Sequence, residues 1–128
     1  MMSRSGVGGA PGTPYLSIDG AKMQRNILKM AGMAQRSGVA LRPHVKTHKI
    51  PAIARKQIEA GAVGITVAKI SEAEVMADGG IPDIFVAYPL VTEEKIRQAI
   101  TLSKRLRGSA NRRVAYVSRD GGEAVESV

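Results

Sequence analysis

The densest chemistry in this sequence lies in one run of eight residues, Arg42-Pro43-His44-Val45-Lys46-Thr47-His48-Lys49, which holds both histidines of the chain. The alternation of residue types from Val39 to Lys46 predicts a strand, and alternate side chains of a strand share a face. Arg42, His44 and Lys46 are then expected to point the same way. Lys46 would stand at the C-terminal end of the strand, where α/β folds place ligands and catalysts. An amine kept partly out of water beside other cations loses its proton more readily, which suits it to nucleophilic attack or Schiff-base formation. A solvated basic junction between strand and loop accounts for the same residues, and both readings stand at this level. Metal binding by His44 and His48 is disfavoured. Their i, i+4 spacing suits a helix, Pro43 argues against one, and the run offers no carboxylate as a third ligand.

Composition bounds the scaffold that must position these groups. The chain has 128 residues, 44 % apolar and 23 % charged, an ordinary globular balance in the length of one small domain. No run approaches the roughly 18 apolar residues of a membrane span. Met1 to Gly12 carries one arginine and no apolar core, which does not read as a secretory signal. The absence of cysteine excludes disulfides, thiolate metal sites and cysteine nucleophiles, and makes a cytoplasmic setting the expectation. Tyr15, Phe85, Tyr88 and Tyr116 are the only aromatic residues, a poor stacking platform for single-stranded nucleic acid. The net charge is +8, and Lys104, Arg105, Arg107, Arg112 and Arg113 cluster with no acid among them. A solvated helix end explains that cluster, and a phosphate-binding patch is the alternative.

The pattern along the chain alternates between strand and helix. Residues 1–14 are rich in Gly, Ser and Pro and read as a flexible tail ahead of one domain, 15–128. Tyr15 to Ile18 reads as a short strand. Asp19 is placed to cap a helix from Gly20 to Arg36, ended by Gly38. After the strand ending at Lys46, Pro51 opens a helix that stops near Gly61, and Val63 to Ala68 is a second strand. Ser71 and Glu74 form an S-x-x-E capping box for the next helix, which the Gly79-Gly80 pair ends. Asp83 to Tyr88 is a third strand. Thr92 caps a helix to about Arg107, with Ile96, Ile100 and Leu106 on its buried side. Arg112 to Ser118 is a weaker strand, and the last eight residues look like another helix. Strands alternating with single helices indicate a parallel α/β sheet with strands buried on both faces. About four βα units fit either an open doubly wound sheet or half of a (β/α)8 barrel. Lys69 and Tyr88 stand at strand ends and are further candidates for the site, although packing at the rim is the favoured reading of Tyr88.

These residues carry a resemblance. Thr-Pro-Tyr-Leu at 13–16, Asn26-Ile27, the run from Arg42 to Lys49, Ile53-Ala54-Arg55, Gly61-Ala62-Val63-Gly64, Ser71-Glu72-Ala73-Glu74, Gly79-Gly80-Ile81 and Asp83-Ile84 together resemble the N-terminal part of the D-threonine aldolase / D-serine dehydratase group. That group belongs to the alanine-racemase-like, fold type III pyridoxal-phosphate enzymes. The resemblance covers about 90 residues, from Thr13 to about Leu102. An altered reading frame and ordinary divergence both account for its fading over Ser103 to Val128.

The resemblance implies a partial (β/α)8 TIM barrel of the alanine racemase N-terminal domain type. It implies that Lys46 is the lysine that binds pyridoxal phosphate covalently and shuttles protons once the substrate amine has displaced it. His44 and Arg42 are candidates for cofactor contacts by position. The implied reaction is lyase chemistry on a small β-hydroxy-D-amino acid, either cleavage to glycine and an aldehyde or loss of water to a 2-oxo acid. D-serine dehydration and amino-acid racemisation are alternatives on the same fold. A non-enzymatic basic phosphate or nucleic-acid binder is the alternative of a different class. The group's divalent metal and its phosphate-holding residues are expected outside this chain, which offers no metal site of its own. Half a barrel leaves open strand edges and a wet apolar lumen, so homo-oligomerisation or aggregation is expected.

Overall fold

The computed structural model of the chain describes residues 12–108, 112–118 and 123–125. The first helix, α1 (Gly20–Arg36), starts where Asp19 accepts a hydrogen bond from the Lys22 amide at 3.0 Å. A second, α2 (Pro51–Glu59), has Pro in its first turn. Then β1 (Ile65–Val67), α3 (Ile70–Asp78), β2 (Asp83–Leu90), α4 (Glu93–Arg107) and β3 (Arg113–Ser118) follow in strict alternation. The α4 start is capped by Thr92, whose hydroxyl accepts from the Lys95 amide.

The first three helices stop in the same way. At the end of α3, the Ile81 amide reaches Met76 O and the Gly80 amide reaches Ala77 O, both at 3.0 Å. Gly80 sits at φ 87, a conformation that side-chain-bearing residues rarely adopt. The motif delivers the fully buried Ile81 to the core and turns the chain into β2.

The sheet runs β1-β2-β3 in parallel, with βα crossovers through α3 and α4. Ile65 pairs with Ile84 and Ile84 with Val114; Val67 pairs with Val86 and Val86 with Tyr116. These six side chains form the buried face, packed with Met76, Leu102 and Leu106 from the helices. The opposite face carries Thr66, Phe85 and Ala115, none of them fully buried. The strands are therefore covered on one face only, not on both. The reason is geometric: the helices lie on one side, and the other is the concave side of an incomplete barrel.

Several local expectations are corrected. Tyr15 to Ile18 is not a strand; it pairs with no strand among the described residues, and Leu16 is 99 % exposed. Of the last eight residues, read as a helix, the described ones, 123–125, are not helical. A short strand, β4 (Glu123–Val125), lies antiparallel against β3 and closes the sheet order at β1-β2-β3-β4. The S-x-x-E capping box does not form, because α3 begins two residues earlier than the motif requires, with Lys69 rather than Ser71 at its N-cap. Glu72 then takes the reaching-back role and accepts from the Ala68 amide at 2.9 Å. Of the expected tail, residues 1–11 lie outside the described residues.

Helix α1 contributes no fully buried residue. Leu28, Met30 and Met33 are about half exposed or more along it. No described helix is long and apolar enough to cross a membrane.

Candidate active site

The segment 41–45 runs beside β1 without being a regular strand. It makes one parallel bridge, His44 to Thr66. Leu41 O accepts from the Val63 amide, Pro43 O from the Thr66 amide, and the Val45 amide donates to Thr66 O at 2.9 Å. Pro43 has no N–H to offer and Lys46 already belongs to a turn, so the expected strand reduces to this short attachment. Its fully buried residue is Val45.

This geometry separates the three residues expected on one face. The Arg42 guanidinium donates to Asp83 Oδ1 at 2.7 Å and to Ile65 O at 3.4 Å. Asp83 opens β2, so Arg42 is committed to the N-terminal end of the sheet. Asp83 also accepts from Arg113 Nε at 2.8 Å, and the carboxylate thereby joins segment 41–45 to β2 and β3. Gly64 lies against this node. A Cβ there would fall 2.7 Å from Asp83 O and would meet the Arg42 guanidinium, so glycine is required by close approach.

Lys46 lies two residues beyond the His44 bridge, at the C-terminal end of β1, in the turn that follows. It is exposed, and its amine has no ion pair among the described residues. His44 Nδ1 accepts from the Lys46 amide at 3.2 Å, which sets the ring beside the turn. The Lys49 amide closes the turn on Val45 O at 2.8 Å. Lys49 itself has φ 56, the left-handed region, which is unusual for a side-chain-bearing residue. Its Nζ sits 3.6 Å from Glu72 Oε1, a carboxylate only 8 % exposed.

His48 is bound at both nitrogens, Nδ1 by the Ile50 amide at 2.9 Å and Nε2 by Gln57 Oε1 at 3.2 Å. Burial pushes this imidazole below its usual range, and the Gln57 hydrogen bond offsets part of that fall. A histidine held neutral on folding stabilises the fold fully above its unfolded value, near 6.5. That contribution is lost as pH drops through this value towards the lower folded one. Thermal unfolding between pH 7.5 and 5 is therefore expected to show a falling midpoint, less steep in a His48→Gln variant. Parallel slopes in the two proteins would remove His48 as the cause.

Two hollows flank this end of the sheet. One, of about 230 Å³, is lined by Lys49, Lys69, Glu72 and Met76 among others. The other, of about 510 Å³, lies between Lys69, Ser71, Tyr88, Leu90, Lys95 and Gln98. Lys69 borders both as the α3 N-cap, and Tyr88 is 54 % exposed with Lys95 Nζ 6.0 Å above its ring. The basic cluster is largely engaged elsewhere: Arg105 pairs with Asp78 at 3.0 Å, Arg112 donates to Ala77 O, and Arg113 holds Asp83.

The sequence reading missed Glu72, Gln57 and Asp83 as partners of the eight-residue run. Glu72 lay inside the S-x-x-E motif, but the more conventional box partner, Glu74, masked it. Gln57 and Asp83 had no local signal, because their roles arise from packing across the chain.

The sheet thus presents Lys46, exposed and without an ion pair among the described residues, beside the C-terminal end of β1. The family described as "Alanine racemase, N-terminal domain" matches residues 18–107, and the chain belongs to it. The chain is 40 % identical over 124 residues to D-threo-3-hydroxyaspartate dehydratase of Delftia sp. (strain HT23), covering 89 % of this chain and 32 % of that protein. It is 43 % identical over 84 residues to D-threonine aldolase of Arthrobacter sp., covering 66 % of this chain and 22 % of that protein. Among solved structures, D-threonine aldolase from Filomicrobium marinum superposes with a TM-score of 0.74 at 38 % identity, covering 82 % of this chain and 27 % of that one. The chain thus spans about a third or less of these relatives. The fold is that of part of the alanine racemase N-terminal barrel, as the resemblance implied. The match also continues beyond Leu102, since the family model runs to residue 107.

Proposed function

We propose that this chain carries the cofactor-lysine segment of a pyridoxal-phosphate-dependent lyase acting on β-hydroxy-D-amino acids. The observation that carries this reading is Lys46: an exposed amine without an ion pair, at the C-terminal end of a βα sheet, within the stretch that matches the family. Homologues that act on D-threonine and on 3-hydroxy-D-aspartate support the substrate class.

The residues present fit the aldehyde end of pyridoxal phosphate, because a free, accessible amine is the group that condenses with an aldehyde. Bound there, the cofactor supplies an electron sink for bond cleavage next to the amino group. This chain's own residues supply the attachment and its surroundings. Lys46 offers the amine and can hold or release a proton at Nζ. His44 sits beside its backbone, where it can contact the cofactor. Arg42 is held by Asp83 at the far end of the sheet and serves the fold.

The test is a labelling map. The chain is mixed with pyridoxal phosphate, reduced with borohydride and digested for peptide mass spectrometry. Label concentrated on Lys46 is expected; label spread evenly over Lys22, Lys29, Lys46, Lys56 and Lys104 would overturn the assignment. Turnover of β-hydroxy-D-amino acids by the 128-residue chain alone is expected to be negligible, because Lys46 is exposed and an open site neither excludes water nor fixes the substrate. Robust cleavage or dehydration by the purified chain would contradict that expectation.

A further inference from the structure

Lys46 is carried by a turn of only a few residues, yet that turn is tied to two helices. On one side, His48 links it to α2 through Gln57. On the other, Lys49 links it to α3 through Glu72, whose second oxygen is already held by the Ala68 amide. Between these two attachments the backbone adopts φ 56 at Lys49. Glycine would adopt that conformation without strain, whereas a residue with a Cβ does so at a cost of about 1 kcal/mol. The lysine at this position supplies the side chain that reaches Glu72.

His48 is the centre of this arrangement. Its Nδ1 accepts from the Ile50 amide, so the neutral ring carries its proton on Nε2 and donates it to Gln57 Oε1. Only this tautomer makes both hydrogen bonds. The ring thereby bridges the end of the Lys46 turn and the body of α2, and a doubly protonated ring would lose the Ile50 bond.

We propose that His48, as the Nε2–H tautomer, is a positioning residue that together with Gln57 and the Lys49–Glu72 pair fixes the turn from which Lys46 presents its amine. The proposal rests on Lys46 being the cofactor lysine. It assigns His48 a role distinct from metal binding, since both of its nitrogens are occupied. His48 touches neither cofactor nor substrate in this role; it acts through the backbone that orders Lys46.

The test compares the labelling selectivity of Lys46 with that of Lys22, Lys29 and Lys104, which serve as internal controls in the same peptide map. In wild type, Lys46 labels fastest. In His48→Asn, whose side chain can still accept from the Ile50 amide but is too short to reach Gln57, and in Gln57→Ala, Lys46 labelling is expected to slow by about three- to tenfold, the range in which lost positioning is felt. The controls and the helical circular dichroism should stay unchanged. Gln57→Glu keeps an acceptor for Nε2–H and is expected to restore selectivity, a rescue that a loss of general packing would not show. Nitrogen-15 NMR of the His48 ring reads the tautomer directly and needs no cofactor. Wild-type selectivity retained in both His48→Asn and Gln57→Ala, or a ring protonated at Nδ1 at pH 7.5, would overturn the positioning role while leaving Lys46 as the cofactor residue. Absence of Lys46 selectivity in the wild type would overturn the cofactor reading, and the positioning role with it.

Discussion

Replacing Lys46 with alanine is expected to lower borohydride-trapped pyridoxal-phosphate label on the chain by about an order of magnitude under limiting cofactor. The remaining label should sit on scattered surface lysines. The chain has eight lysines, so condensation by itself is not diagnostic. What distinguishes Lys46 is placement. Lys22 is 3.9 Å from Asp19, Lys49 is 3.6 Å from Glu72, and Lys95 lies over Tyr88, whereas Lys46, like Lys29, Lys56, Lys69 and Lys104, has no such partner among the described residues and differs from those four in standing on the turn that His48 and Lys49 tie to α2 and α3. Lys46→Arg separates charge from chemistry. A guanidinium stays protonated and cannot condense, so this variant should keep the net charge yet label as poorly as the alanine variant. Equal labelling of wild type and Lys46→Ala would show that the signal comes from other lysines.

The second large effect is on stability. Asp83 accepts from Arg42 at 2.7 Å and from Arg113 at 2.8 Å, with its own side chain only 16 % exposed. Asp83→Ala leaves two guanidinium groups facing each other, and the Arg42 side chain, at 24 % exposure, cannot turn freely to water. Breaking a buried pair costs about 3–5 kcal/mol; partial exposure of both arginines reduces this to roughly 2 kcal/mol. For a domain of this size that lowers the unfolding midpoint by on the order of 10 °C. Gly64→Ala attacks the same node from the other side, because its Cβ would displace Arg42 and press on Asp83 O. Its effect should therefore be far from additive with Asp83→Ala. Circular dichroism melts of the two single variants and the double variant measure this. Additive losses would show that Gly64 and Asp83 act independently.

The elements were legible in the sequence where local signals agree with one another. Asp19, Gly38, Pro51, the Gly79-Gly80 pair and Thr92 mark helix ends by chemistry that operates within a few residues, and the structure places α1, α2, α3 and α4 within those marks. The family was also legible, since the eight-residue run and the other blocks of the resemblance are properties of the chain itself. Where two local signals competed, the sequence misled. The S-x-x-E spacing favoured Ser71 as the cap with Glu74 reaching back, but packing of Ile70 into the core starts α3 earlier and hands the reaching-back role to Glu72.

Tertiary structure alone decided the rest. Strand alternation put Arg42, His44 and Lys46 on one face, yet Asp83, 41 positions away, draws Arg42 to the opposite end of the sheet from Lys46. A charge finds the partner that desolvates it least, and no local pattern encodes that choice. Glu123–Val125 form β4 rather than part of a helix because β3 has an edge to satisfy, a demand that exists only once the sheet has formed. The anchoring of the Lys46 turn by Gln57 and Glu72 likewise required two helices to be packed before either side chain could reach. The sequence thus determined which residues stand in the eight-residue run, and the packing determined how the turn that carries Lys46 is held, because residue types are written in the chain whereas their orientation depends on distant neighbours.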